Sequence, residues 1–407
     1  MKIWIDLTDF LNWRGNLTGI QRVQYNISRL YLESEKDVHF FVYNELRRAF
    51  TEVEFNPEEI IKAGVVVSGI TDPKVLLRRV NQILRRVIRK TGAKPPRTRA
   101  CIFKENDTVL IMGGIWLGTF IEDLEECKRK KKFKLIHFAF DMIPSIFPGY
   151  VVDWLPKAFT NYQKRVFSIS EGILAISEST ANDVKSFMML HKIHNPVKIE
   201  VVRIGEEINT DKRVGERPLK ELVGEDFILS VSTIEARKNH ASFFYVMKEA
   251  KQRGIKLPKI VIVGMNGWHT ENILYMMKHD ADASKEILIL NEIDDGQLSW
   301  LYKNCLFTAF PSFYEGWGMP IAESLSHGKL CLSSNTSSMP EIAGDLIDYF
   351  SPYDTGSMLD CIEKYLQPVE RKKKEDLIKR NYRSTSWNAM YEKVDQFVQD
   401  ICKTPNK

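Results

Sequence analysis

Pro311-Ser-Phe-Tyr-Glu315-Gly-Trp-Gly-Met-Pro320-Ile-Ala-Glu323 joins a candidate strand, ending at Ser312, to a candidate helix opened by Pro320. Proline is preorganised for a first helical turn. Gly316 and Gly318 let the backbone come close to a ligand, and the N–H groups around Met319 suit an anion such as a diphosphate. Glu315 sits in the loop and Glu323 about one turn into the helix. Carboxylates so placed can accept hydrogen bonds from hydroxyls on two parts of one ligand. A plain strand-turn-helix junction with two solvated acids fits the spacing equally well.

Working outward, the same alternation of apolar runs and amphipathic stretches fills the chain. Candidate strands are 2–7, 39–43, 108–113, 134–140, 172–177 and 199–204, with helical patterns at 20–32 and 179–190. A polar stretch, Gly205 to Asp226, reads as a linker. Strands then resume at 227–232, 259–264, 286–290, 305–312 and 329–334, separated by helices near 239–253, 294–304 and 319–327. Continuous apolar strands alternating with helices predict an α/β fold of two doubly wound, parallel-sheet domains. The expected boundaries are 1–205, 206–385 and a terminal amphipathic helix within 386–407 that packs back on the first domain. Ligands of such sheets bind outside the carboxyl ends of the strands, so the two domains are expected to face each other across a cleft where two substrates meet.

Composition sets limits on this reading. The 407 residues are 44% hydrophobic and 27% charged, enough for two cores and unlike a disordered or fibrous chain. The net charge is +5, yet residues 73–104 hold eleven Lys/Arg and no Asp/Glu; removing them leaves −6 elsewhere. One segment makes the protein basic, which argues against nucleic-acid binding over the whole surface. Within it, Leu76, Val80, Ile83, Leu84, Val87 and Ile88 share a face flanked by Arg78, Arg79, Arg85, Arg86 and Arg89. Such a helix either lies on an anionic leaflet or packs on a core with a solvated basic face. The Lys128–Lys132 run reads as a solvated helix end. Six scattered cysteines fit a reducing compartment, and neither a secretory signal nor a membrane-length apolar run is visible. The expectation is a cytoplasmic protein, with peripheral membrane contact through residues 74–104 left open.

A second motif, Ser232-Thr-Ile-Glu-Ala-Arg237-Lys238-Asn239-His240, follows the first strand of the second domain. Adjacent cations at a strand's carboxyl edge can neutralise phosphate; the alternative is a surface pair beside a helix capped by Asn239. No strand ends in a metal-binding Asp-x-Asp. Asp280-Ala-Asp282 reads as a solvated loop, and Asp294-Asp295 as a helix cap.

Together, residues 232–240 and 310–324 closely resemble the donor half of family 4 retaining glycosyltransferases of GT-B fold. Glu315 and Glu323 match that family's E-x7-E spacing, and 260–268, 301–305, 333–345 and 348–354 extend the resemblance over roughly 226–355. Thr18-Gly19-Ile-Gln-Arg-Val23 resembles the family's first glycine-bearing loop. Phe140-Asp141-Met-Ile-Pro144 resembles a segment that reads His-Asp-x-x-Pro in many members, especially bacterial surface-polysaccharide mannosyltransferases; Phe140 stands where those have histidine. Ser177 resembles a cleft-lining serine, or is a helix N-cap.

The resemblance implies transfer of a hexose from a nucleotide-diphosphate sugar, GDP-mannose first, to a glycan or lipid-linked oligosaccharide acceptor with retained configuration, without metal or cofactor. It implies that Arg237, Lys238 and the turn Gly316–Met319 hold the diphosphate, that Glu315 binds donor-sugar hydroxyls and Glu323 the ribose, and that Gly19, Gly264, Trp317 and Gly318 line the donor site. Asp141 is the candidate base if the leaving phosphate does not itself take the acceptor proton. A catalytically silent scaffold that binds nucleotide sugar or glycan is the alternative.

Overall fold

A computed structural model describes residues 2–12, 19–57, 101–207 and 216–404. The basic helix expected within 74–104 therefore lies almost wholly outside the described residues.

The chain divides into two compact units, and neither is a continuous stretch. The first comprises Met1–Ser145, Trp154–Gly205 and Thr385–Lys407; the second comprises Ile146–Asp153 and Glu206–Ser384. This differs from the linear division expected, because Ile146–Asp153, which lie inside the first half of the sequence, belong to the second unit.

The first unit is built on seven strands: β1 Ile3–Asp6, β2 Val38–Asn44, β3 Ala49–Val53, β4 Thr108–Ile111, β5 Lys134–Ala139, β6 Gly172–Ala175 and β7 Lys198–Val201. Their order is β3-β2-β1-β4-β5-β6-β7. All pairs are parallel except β2–β3, a hairpin running from Phe40↔Val53 to Asn44↔Ala49. β1, β4, β5 and β6 are buried at every position, which is why they read as unbroken apolar runs. Strand β3 has no such run: at the sheet edge its Thr51 is half-buried and its Glu52 exposed.

The second unit holds six parallel strands: β8 Phe227–Val231, β9 Lys259–Val263, β10 Ile287–Leu290, β11 Phe307–Phe310, β12 Cys331–Ser334 and β13 Tyr349–Phe350. Their order is β10-β9-β8-β11-β12-β13. Counted within the unit this is 3-2-1-4-5-6, the doubly wound order that places a ligand crevice at the carboxyl ends of the first and fourth strands, here β8 and β11.

The stretch read as a linker is built into the second unit. Leu219 and Leu222 are buried with Phe227, Leu229, Trp300 and Leu301, and Glu206 is fully buried. Helices not foreseen from the sequence include Leu155–Ile169, Thr355–Leu366 and Pro368–Asn381. The last carries nine charged residues among its fourteen and buries only Ile378, so it has almost no apolar stripe to read.

The final helix, Trp387–Lys403, buries Trp387, Met390, Val394, Phe397, Val398 and Ile401 in the first unit. Two glycines receive its aromatic rings. A Cβ on Gly172 would stand 2.5 Å from Phe397, and one on Gly205 2.3 Å from Trp387. Lys134, at the start of β5, donates to the helix's terminal carbonyls at Ile401 (2.8 Å) and Cys402 (2.7 Å) and to Thr404, countering the negative end of the helix. We expect Gly205→Ala to destabilise the first unit by about 1–3 kcal/mol through overpacking against a buried ring. Urea unfolding would show this; an unchanged midpoint would mean that Trp387 repacks freely.

Candidate functional site

The two sequence motifs, some eighty residues apart in the chain, follow the two strands of the second sheet's switch point. β8 pairs with β11 through Phe307↔Ile228 and Thr308↔Leu229. The loops 232–240 and 311–318 therefore leave the sheet side by side.

The first loop is shaped by a close approach to the loop after β9. Gly267 donates to the Ile234 carbonyl at 2.6 Å and Ile234 to that of Met265 at 2.8 Å. Gly264 packs onto the Ser232 peptide so tightly that a Cβ would fall 1.9 Å from its oxygen. A short 3-10 turn, Ala236–Lys238, then presents the two cations. Asn239 does not cap the following helix, as one sequence reading had it. It adopts the left-handed conformation, φ 55°, ends the turn, and donates from Nδ2 to the Pro352 carbonyl at 3.0 Å.

The second loop is pinned by hydroxyls from residues 336–338. Thr336 Oγ1 donates to Phe313 O at 2.8 Å, and Ser338 Oγ to Glu315 O (3.0 Å) and Trp317 O (2.6 Å). The Glu315 amide donates to Ser337 Oγ at 2.9 Å. Gly318, at φ 138°, begins the helix Met319–Ser326 with Pro320 in its first turn, and its left-handed-side conformation explains the glycine. Ile146–Asp153 covers this loop within the same unit. Tyr150 stacks on Phe313 with centroids 5.7 Å apart and planes within 4°, and Phe147 meets Tyr314 at 4.9 Å.

Where the loops meet, Glu315 is enclosed. Its Oε1 accepts from Lys238 Nζ and Ser312 Oγ, both at 2.6 Å, and its Oε2 lies 2.7 Å from Arg237 Nη1. Arg237 also donates to Tyr314 O and to Glu235 Oε1, each at 2.6 Å. Burial alone would raise the Glu315 pKa; the charges of Arg237 and Lys238, with hydrogen bonds from Lys238 and Ser312, outweigh it and hold it at about 2. Burial, together with Arg237, pushes Lys238 down. His240 is driven to about 3 by burial and by Lys238, so it is neutral at physiological pH.

This corrects the sequence reading in two ways. Glu315 and Glu323 are not solvated acids, since they are 6% and 8% exposed. Nor are Arg237 and Lys238 an open cationic pair, because Glu315 and Glu235 match them charge for charge, and an incoming anion would have to share them. Glu323 accepts a hydrogen bond from the buried Tyr302 hydroxyl at 2.9 Å. Trp317 donates from Nε1 to Glu206 Oε1 at 3.1 Å.

Of the other predicted site residues, Gly19 and Asp141 belong to the first unit. Gly19 opens the helix Gly19–Leu32, with nothing described within 4 Å of where its Cβ would stand. Asp141 accepts from the Ile143 amide at 2.9 Å. Ser177 caps its helix, accepting from Thr180 N. Phe140 stacks with Phe138, whereas His137 is buried against Tyr162 and Phe167 and neutral, its pKa lowered by burial to about 3. Asp280 and Asp282 are not simply solvated but bind Lys248, and Asp282 also Lys251. Asp294 caps its helix in a capping box with Gln297. Among the described residues, no helix is long and apolar enough to cross a membrane.

Sequence reasoning missed Glu206, Glu235, Tyr302, Ser312, Ser337 and Ser338. The hydroxyl run 333–338 was the one visible signal, since Ser and Thr serve loops by bonding backbone.

The loops described here fall inside residues 213–384, which match the family model of glycosyl transferases group 1. Over these residues the chain is similar to that family. Two Escherichia coli relatives extend the comparison. Serotype-specific mannosyltransferase WbdA is 26% identical over 243 residues, 58% of this chain and 29% of that protein. O-antigen chain mannosyltransferase B is 28% identical over 147 residues, 36% of this chain and 38% of that one. The chain thus spans less than a third of WbdA. Solved structures share the fold at low identity. HepE of Anabaena in complex with UDP has TM-score 0.62 and 11% identity, over 98% of this chain and 99% of HepE. An E. coli structure described as trehalose-6-phosphate bound with UDP-2-fluoro glucose has TM-score 0.65 and 12% identity over both whole chains. The fold is GT-B.

The depressed Glu315 pKa makes acid stability a test of the cluster. A carboxylate ordinarily titrating near 4.5 and held at about 2 contributes stability that is present above pH ~4.5 and lost as the pH falls toward 2, on the order of 3 kcal/mol. Glu315→Gln should remove that slope. It should also lower stability at pH 7 by roughly 3–5 kcal/mol, because two cations lose their buried partner. Urea unfolding of both proteins at pH 7, 4.5 and 3 decides this; parallel pH profiles would contradict the buried ion cluster.

Proposed function

We propose that the chain is a retaining glycosyltransferase of surface-polysaccharide synthesis. It would move a hexose, mannose first, from a nucleotide-diphosphate sugar to a glycan or lipid-linked glycan acceptor. The observation that carries this reading is the enclosed cluster of Arg237, Lys238 and Glu315 at the carboxyl ends of β8 and β11. Breaking a sugar–phosphate bond leaves positive charge on the ring and negative charge on the diphosphate. Cations already fixed by Glu315 and Glu235 need little reorganisation to meet that diphosphate.

In the proposed cycle the C1–O bond to the diphosphate breaks while the acceptor oxygen bonds to C1 from the same face. The acceptor proton passes to a leaving phosphate oxygen. The diphosphate shares Arg237 and Lys238 with Glu315, and Glu315 is thereby placed to accept from a hydroxyl of the transferred sugar. Glu323, steadied by Tyr302, is assigned to the ribose. The relatives named as mannosyltransferases favour mannose as the transferred sugar, with GDP-mannose the first donor to test; UDP sugars form the competing arm, since HepE is seen with UDP. In this scheme Arg237 and Lys238, shared with Glu315, hold the diphosphate, and no step is assigned to a metal. Peripheral contact of residues 74–104 with an anionic membrane is part of the proposal, with the protein otherwise cytoplasmic.

Nucleoside diphosphate release from GDP-mannose and UDP sugars, with a glycan acceptor, tests the proposal. Lys238→Ala should lower turnover at least about tenfold, ~1.4 kcal/mol of barrier; it leaves Glu315 paired with Arg237, so the fold should persist. Donor binding without turnover in the wild type would favour the silent scaffold, and a near-normal rate in the variant would remove Lys238 from the chemistry.

A further inference from the structure

At the C-terminal end of the helix Met319–Ser326, the second unit has a recess of ≈ 390 Å³ between that helix's last turn and residues 378–384. That volume falls in the range of small-molecule sites. Its polar rim is Ser326, His327, Lys379, Tyr382, Arg383 and Ser384, and no carboxylate lines it. Among the described residues, neither Lys379 nor Arg383 has an ion-pair partner. Lys379 is nonetheless held in place. Its stem lies over Gly328, where a Cβ would come within 2.8 Å of Lys379 Cε. Arg383 donates one N–H to the Tyr382 carbonyl at 2.7 Å, which leaves other donors of the guanidinium for a ligand.

Two uncompensated cations with two serine hydroxyls around a sugar-sized recess match the chemistry of a dianionic oxyanion on a small polar body. The walls also lead, through one intermediate each, to the loop and helix that carry Trp317 and Glu323. Tyr382 donates to Glu206 Oε2 at 3.0 Å, and Glu206 Oε1 accepts from Trp317. His327 stacks on Tyr302, with centroids 4.8 Å apart and planes 14° from parallel, and Tyr302 donates to Glu323.

We propose that this recess binds a small phosphate monoester and that its occupancy changes nucleotide affinity at the opposite end of the helix. The binding half stands on the recess alone; the coupling half rests on the proposed donor site.

Calorimetric titration of the full chain, free of nucleotide, with mannose 6-phosphate, inorganic phosphate and mannose tests the binding half. Mannose 6-phosphate should bind in the submillimolar range, phosphate more weakly and mannose not at all. The doubly substituted Lys379→Glu, Arg383→Glu protein should bind at least about tenfold more weakly, with its melting temperature unchanged, since both side chains are exposed. Equal binding by the two proteins, or none by the wild type at millimolar mannose 6-phosphate, overturns the site. Repeating a GDP titration with the recess filled tests the coupling: a shift of about threefold or more supports it, by reciprocity of the two affinities, and an unchanged affinity rejects it. GDP that fails to bind at all refutes the donor reading while the phosphate titration still judges the recess.

Discussion

The structure of the second unit depends on one carboxylate. Glu315 is buried between a guanidinium and an ammonium, and each of the three ions would be costly to hold there alone. Arg237 and Lys238 come from the loop after β8, Glu315 and Ser312 from the loop after β11, and the hydroxyls that fix the second loop's carbonyls from residues 336–338. None of these segments has a regular hydrogen-bond ladder of its own at this point. The ion cluster and the hydroxyl clamps give their backbones a single arrangement, as a fully satisfied polar network does.

The sheet makes that meeting possible. Reversal of strand order between β8 and β11 sends the connections after these strands to opposite faces, leaving an opening at their carboxyl ends. Small side chains then let the backbones close in. Gly264 allows the loop after β9 to lie against Ser232, and Gly318 turns the chain into the helix that begins at Met319. The aromatic residues of Ile146–Asp153 cover the flank of the same loop, so that part of its packing is supplied from a distant stretch of sequence.

What could be read in advance followed burial. β1, β4, β5, β6, β8, β9 and β11 are wholly or almost wholly apolar because both sheet faces are covered, and each was visible as a run. β3 and β13 escaped notice for the opposite reason: one is an edge strand with polar positions that are not buried, the other only two residues long. The helix Pro368–Asn381 shows no stripe because it buries one side chain. At the site, Arg237, Lys238 and Glu315 were legible as residue types at suggestive positions, but their mutual neutralisation was not, since pairing across two loops is a property of tertiary structure. Glu206 was misread for a related reason. Beside Glu207 and a charged run it resembles a solvated connector, and only its contacts with Trp317 and Tyr382 show otherwise.

The interleaving of the two units has a consequence for biosynthesis. The helix Trp387–Lys403, whose rings fill the space left by Gly172 and Gly205, leaves the ribosome after the whole of the second unit. At typical elongation rates of about 5–20 residues per second, the nascent first sheet spends roughly ten seconds or more with that apolar groove uncovered. By the end of this interval the second unit, already supplied with Ile146–Asp153, has all of its own parts in hand. Translation order and completion order are therefore reversed: the half made first is the half finished last, and chaperones would find their substrate there.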